Sequence, residues 1–368
     1  MEKFSRFRDA GTGIQVFLPP VTPAGNTSAL HLLALPFLYV LGAARGVLLL
    51  AVVLLWTLLE TLLGLFGARA AVRSVFVPVV LALLGFYGTT PETISLATRG
   101  RNAPAPSAPP RVGDLIVSNH SSYIDVLLLS RACPSYLLPV LSPSAPPPSA
   151  AAARGAARKR GPGAYMPETL REKVSGEARL VGWKAVGLVT ALMQVARPPL
   201  EGDASDADVK PFDKALQEAN APCVVFPELV TSNNRALLRP APIFPTTWRE
   251  LYARTGALRD LPRSPRMYIT AIKYEPPSPL SPSATTSVPR SLGASIWAGL
   301  IALPRGVSVR VLHPAEAPTG QAASADVRGA ERGPQEAIAD SWSALSRLRR
   351  TNLGFEEKEA FLAMYQRR

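Results

Sequence analysis

The stretch DLIVSNHSSYIDVLLL (114–129) carries an apolar run of strand length into a polar turn, and then into a second apolar run with helical spacing. Residues 114–118 read as a buried strand and 123–131 as a helix, with Ser121 or Ser122 suited to the N-cap. The alternation continues downstream. CVVF (223–226), YITAIK (268–273) and VSVRVL (307–312) read as strands, while 181–196 and 211–219 read as helices. This order predicts an α/β domain with a central mixed sheet flanked by helices.

The polar turn holds the residues best suited to chemistry. His120 stands at the strand end, and a neutral imidazole accepts a hydroxyl proton near pH 7 more readily than Lys or a carboxylate. Asp125 follows five residues later; on a continuous helix the two would point about 140° apart. They meet only if His120 precedes the helix and Asp125 lies in its first turn, where the carboxylate would fix the imidazole tautomer and stabilise the imidazolium. The spacing alone is a weak signal, because strand ends often carry a His satisfied by its neighbours. Of the three histidines, His31 sits in an apolar block and His313 precedes Pro314, neither with such an acid.

A second string, VVFPELVTSNNRALL (224–238), also leaves a buried strand for a polar loop. Pro227 turns the chain, Glu228 follows, and Thr231, Ser232, Asn233 and Arg235 offer donors to a phosphate. The same residues suit a strand-to-helix turn with capping side chains. Arg197, closing WKAVGLVTALMQVAR (183–197), is either an anion ligand or a helix-end cation.

Upstream, residues 1–27 read as a polar tail without a signal peptide's pattern. Residues 28–88 are apolar, with ALHLLALPFLYVLGAA and GVLLLAVVLLWTLL broken only by Arg45 and Glu60, and a further run at 75–88. Only 46–68 reaches the roughly 20 residues of a membrane-crossing helix, and the first run contains Pro36. The block reads as a membrane anchor made of crossing helices, a re-entrant hairpin or interfacial helices, with buried soluble helices as the alternative. An anchor that returns to its starting side leaves the tail and catalytic domain together in the cytosol.

A Pro/Ala-rich linker (89–112) leads to the globular domain (113–316). Low-complexity stretches at 142–163, 276–290 and about 318–334 read as mobile surface loops, the first with a basic cluster (Arg154, Arg158, Lys159, Arg160) that is either lipid-facing or solvated. Residues 317–368 end in two short helices parted near Gly354.

With 47% hydrophobic residues the chain is not disordered throughout. Its net charge of +13 suits nucleic acid, an anionic membrane or an anionic substrate; the apolar block favours lipid and argues against nucleic acid. Two cysteines, Cys133 and Cys223, are too few for a disulfide framework or a Cys-based zinc site, and neither reads as a nucleophile.

NHSSYID (119–125) resembles the His-x-x-x-x-Asp motif of the glycerolipid acyltransferases, which include the lysophosphatidate acyltransferases. FPELVTSNNR (226–235) resembles their Phe-Pro-Glu-Gly-Thr-x-Ser-x-x-Arg block, with Leu229 in place of Gly and Val230 in place of Thr. The order and spacing match, and the similarity covers about residues 113–315. The resemblance implies that Arg197 is the second motif's arginine and that YITAIKYEPP (268–277) is the strand of the fourth. It implies an acyltransferase domain that moves a fatty acyl group from acyl-CoA, as co-substrate, to lysophosphatidic acid, giving phosphatidic acid. His120 and Asp125 would be catalytic, and Arg197, Glu228, Thr231, Ser232, Asn233 and Arg235 would bind substrate, with no metal or bound cofactor. Within the family the likeness is nearest to the fungal members of endoplasmic reticulum and lipid droplets. That implies a bilayer or lipid-droplet surface as partner and a catalytic domain facing the cytosol. Another lysophospholipid acceptor such as lysophosphatidylcholine, or an inactive membrane adaptor of the same fold, stand as alternatives.

Overall fold

Leu115, Ile116 and Val117 are all buried, which a strand achieves only with cover on both faces. They form β3 (Leu115–Ser118), and their side chains alternate between two cores: Leu115 and Val117 enter one, Ile116 the other. β7 (Cys223–Val225) and β8 (Met267–Tyr274) divide their side chains in the same way, so continuous apolar runs serve two helical layers. A computed structural model describes residues 4–22, 29–96, 108–132, 134–142, 180–203, 206–241, 266–318 and 334–366.

β8, β3, β7 and β4 (Ser135–Leu141) run parallel in that spatial order. β9 (Arg305–Leu312) joins β8 antiparallel, and β5 (Leu180–Val186) joins β4 antiparallel. The short strands β1 (Phe86–Tyr87) and β2 (Glu92–Ile94) pair with β9, and β6 (Leu200–Glu201) pairs with β4, all parallel. The sheet is therefore mixed, with helices on both faces. One layer holds α1 (Ala29–Gly64), α2 (Arg69–Leu83), α3 (Tyr123–Leu129), α4 (Leu188–Gln194) and α6 (Leu292–Leu300). The other holds α5 (Phe212–Glu218), α7 (Pro334–Ser346) and α8 (Phe355–Gln366).

The apolar block is two helices. α1 runs unbroken through Pro36 and Arg45, joining two runs that the sequence reading separated, and is long and apolar enough to cross a membrane. Its charges have partners. The Arg45 guanidinium donates to Leu300 O (3.1 Å) and Ala302 O (2.9 Å), capping the C-terminal end of α6. Gly42 allows this approach; a Cβ there would sit 2.5 Å from Ile301 Cγ2. Glu60 accepts from Arg73 Nε of α2 at 2.9 Å.

Four readings need correction. Residues 181–196 are not one helix: β5 occupies the first half because Trp183 packs into the core and Gly182 lies against Val209, leaving only α4 helical. Residues 4–22 are not a free polar tail, since the rings of Phe4, Phe7 and Phe17 all pack against Phe361 of α8, Phe7 edge-on and the other two tilted. The sheet reaches into the expected linker, with β2 on β9. Residues 276–290 are packed and hydrogen-bonded, and Ser281, Ala284, Thr286 and Ser287 are buried. The Pro-rich composition suits an extended segment whose partners come from other parts of the chain. The stretches 143–163, with the Arg154 cluster, and 319–333, together with Cys133 and residues 97–107, lie outside the described residues.

Candidate active site

From β3 the chain leaves through α3 on one face of the sheet, and from the adjacent β7 through a loop whose Val230, Leu237 and Leu238 pack on the other. A crevice opens outside the carboxyl ends of such a strand pair. His120 and the 228–235 loop lie at this point.

The spacing of His120 and Asp125 follows from a helix cap. Ser122 is the N-cap of α3, its Oγ accepting from Ile124 N at 3.3 Å, and Asp125 is the third helical residue, its Oδ2 accepting from Ser122 N at 2.8 Å. Oδ2 also accepts from Ser121 N at 2.6 Å, and Oδ1 accepts from the Tyr274 hydroxyl. Thus fixed, Oδ2 lies 3.6 Å from His120 Nδ1, just beyond hydrogen-bond reach, and among the described residues Nδ1 has no other partner. The imidazole stacks on Phe226, with ring centroids 4.3 Å apart and planes at 23°. It is 8% exposed, so only a small part of the ring reaches solvent.

The 228–235 loop spends most of its polar groups on its own framework. Glu228 Oε2 accepts from His120 N and Oε1 from Leu238 N, each at 2.8 Å. Burial pushes the Glu228 carboxyl up to about 8, although these donors favour its charged form. Thr231 Oγ1 donates to Thr286 O (2.6 Å), Ser232 N to His120 O (3.0 Å), and Asn233 Nδ2 to Gln15 O (2.6 Å) and Leu18 O (2.9 Å). Ser232 Oγ lies 3.4 Å from Ser121 Oγ. Arg235 differs, with an exposed side chain that makes no ion pair among the described residues. Arg197 is also exposed, in the turn before β6, whose Leu200 is in register with Val140 near the carboxyl end of β4. It belongs to the same end of the sheet as His120, but the two strands β7 and β4 separate it from β3.

Leu229, where the resembling motif has glycine, adopts φ 58°, and its N–H donates to Phe226 O at 3.0 Å. Position 229 therefore adopts a left-handed turn of the kind glycine takes without strain, at a backbone cost for leucine of roughly 1–2 kcal/mol.

Several residues that frame the site escaped the sequence reading. Asn119 exchanges two hydrogen bonds with the Ile272 backbone, at 2.8 and 2.9 Å. Asn234, at φ 60°, donates to Ser121 Oγ (3.0 Å) and Ile272 O (2.9 Å) and accepts from Tyr274 N (3.1 Å). Residues 284–287 cross between the two motif turns: Ala284 O accepts from Ser122 Oγ (2.7 Å), and Thr286 N donates to Ser121 O (2.8 Å). Lys358 of α8 lies beneath, donating through Nζ to Ser287 O and to Thr231 O (3.2 Å). Burial lowers this ammonium to about 7. Asn119, directly after β3, and Asn234 both lie inside the two motif strings; nothing local marks Tyr274 or Lys358.

Cys223 is a core residue whose thiol burial pushes up to about 12, which removes it as a nucleophile near neutral pH. The described residues contain no group of three His, Cys, Asp or Glu placed to hold a metal. A cavity of ≈ 200 Å³ between Trp183, Lys210 and Glu218 lies at the β5 edge, remote from His120. Compared with known proteins, the chain matches no family model, no curated protein and no solved structure.

Proposed function

We propose that the protein is an acyl-CoA-dependent acyltransferase that converts lysophosphatidic acid to phosphatidic acid at a membrane surface. The observation that carries this reading is the His120–Asp125 pair at the carboxyl end of β3, with the carboxylate held by three donors and aimed at Nδ1. With the proton on Nδ1, the other ring nitrogen is the base. It takes the proton of the acceptor hydroxyl as the oxygen attacks the thioester carbonyl. Collapse of the tetrahedral intermediate breaks the carbon–sulfur bond, and the CoA thiolate leaves with the proton from His120. A contact of 3.6 Å tightens as the imidazolium forms.

The exposed guanidinium groups of Arg235 and Arg197 are suited to an anionic headgroup, whereas Glu228, Thr231, Ser232 and Asn233 shape the loop that presents Arg235. Membrane attachment is supported by the outer surface of one helical layer. Phe37, Val40, Val47 and Leu54 of α1, Val75 of α2, Val189 and Met193 of α4, and Trp297 of α6 are all exposed there. The opposite layer carries the ion pairs Lys210–Glu218, Arg239–Glu356 and Arg350–Asp340. A bilayer or lipid-droplet surface against the apolar side would deliver the acyl chains, with the domain facing the cytosol.

The test is CoA release and phosphatidate formation by the full chain in lipid nanodiscs, with oleoyl-CoA and a panel of lysolipids. Transfer to lysophosphatidic acid is expected, with a loss of roughly 10²–10⁴-fold in His120→Ala. No transfer to any lysolipid, or full turnover in that variant, refutes the proposal.

A further inference from the structure

Asp125 is held by more than a helix cap requires. Its two backbone donors, Ser121 N and Ser122 N, both bind Oδ2. Oδ1 is served by a residue distant in sequence, Tyr274, the last of β8. That side chain is itself fixed: its ring packs edge-on against Phe86, with centroids 6.1 Å apart, and its N–H donates to Asn234 Oδ1 at 3.1 Å.

We infer that Tyr274 is a positioning residue for the His120–Asp125 pair, turning Oδ2 toward the imidazole and reducing the proton affinity of the pair through its hydrogen bond to Oδ1. The inference rests on the reading of His120 as the base. Backbone donors to one oxygen leave the carboxylate free to pivot about that oxygen, and a donor on the second oxygen removes this freedom. The bond also stabilises the doubly deprotonated pair, carboxylate with neutral imidazole, more than any form holding the extra proton, so removing it favours proton uptake wherever the proton resides.

The other charged and titratable groups around the pair are few. Glu228 comes from the loop after β7 and binds His120 N; Tyr123 comes from α3; Arg305 comes from β9, its guanidinium 4.5 Å over the Phe86 ring. Among the described residues none of these donates to Asp125. Burial, reinforced by the Asp125 charge, pushes the Tyr274 hydroxyl well above its ordinary range, so it stays a donor at every working pH.

The experiment is an NMR titration of imidazole resonances in the full chain, which has three histidines and in which His120→Ala assigns the relevant one. Tyr274→Phe is expected to raise the His120 titration midpoint by about one pH unit, within what a hydrogen bond to a charged group supplies. An unchanged or lowered midpoint overturns the inference. Because this readout needs no substrate, a raised midpoint in a protein without acyl transfer supports the positioning role and refutes the acyltransferase reading separately. Where transfer occurs, the acid limb of the kcat/KM profile moves to higher pH with the midpoint. Should Tyr274→Phe fail to fold, Asp125→Asn in protein labelled at the tyrosine hydroxyl carbon serves instead. A shift of the Tyr274 resonance is expected, and an unmoved resonance overturns the inference.

Discussion

Replacing Leu229 tests the loop backbone and the motif resemblance together. Its φ of 58° costs a non-glycine residue roughly 1–2 kcal/mol, and its half-buried side chain packs on the core. Full burial of a leucine is worth about 1.5–3 kcal/mol, so this partial contact contributes about 1 kcal/mol. Leu229→Ala loses the contact and keeps the strain, and should destabilise by about 1 kcal/mol. Leu229→Gly loses the same contact and about 0.4–1 kcal/mol of unfolded-state entropy, but sheds the strain, leaving stability near that of the parent. Glycine should thus exceed alanine by about 0.5–1 kcal/mol, the reverse of their order at an ordinary position. Urea midpoints of the full-length variants in one detergent measure the difference, and the glycine variant should keep its acyl-transfer rate. Alanine as stable as glycine would show that position 229 is not left-handed in solution, and the reasoning about this turn would fall.

Two further outcomes are expected. Arg235→Glu should raise the acceptor KM roughly 10- to 100-fold while sparing that for acyl-CoA, since a charge-assisted contact is worth about 1.5–3 kcal/mol; the opposite pattern in steady-state kinetics would assign Arg235 to the nucleotide. Lys358, lowered from 10.5 to about 7, binds its proton more tightly in the unfolded chain, so its contribution to stability rises from about pH 7 to pH 10.5 and is lost as pH falls through 7. Glu228, raised from 4.5 to about 8, acts in the opposite sense, with stability present below 4.5 and lost as pH rises through 8. Above pH 8 the Lys358 slope should therefore dominate this pair; a parent and a Lys358→Met variant with the same dependence of urea midpoint on pH between 8 and 10 would contradict it.

The parts of the fold legible in the sequence are those set by local pattern. β3, β7, β8 and β9 lie where apolar runs lie, because strands covered on both faces need continuous hydrophobicity. The meeting of His120 and Asp125 was legible for a similar reason, since a capping box has a fixed spacing. Illegible were the contacts made across long separations. LVGWKAV (180–186) has apolar spacing compatible with either periodicity, and pairing with β4 decides for strand. Residues 276–290 look like a solvated linker until their carbonyls are seen to receive Ser122, Thr231 and Lys358. Tyr274 sits in an apolar strand like any core tyrosine, and only the third dimension reveals the carboxylate at its hydroxyl.

The aromatic cluster of Phe4, Phe7, Phe17 and Phe361 also constrains the order of events during synthesis. Phe17 leaves the ribosome some 340 residues before its partner in α8, an interval of roughly 20–70 s at ordinary elongation rates. During that time α1 and α2 are free to find an apolar surface, while the segment ahead of them waits with its phenylalanines unburied. That segment also supplies Gln15 O and Leu18 O to Asn233, and α8 supplies Lys358 to Thr231. The loop beside His120 therefore acquires its final support only after α8 has emerged.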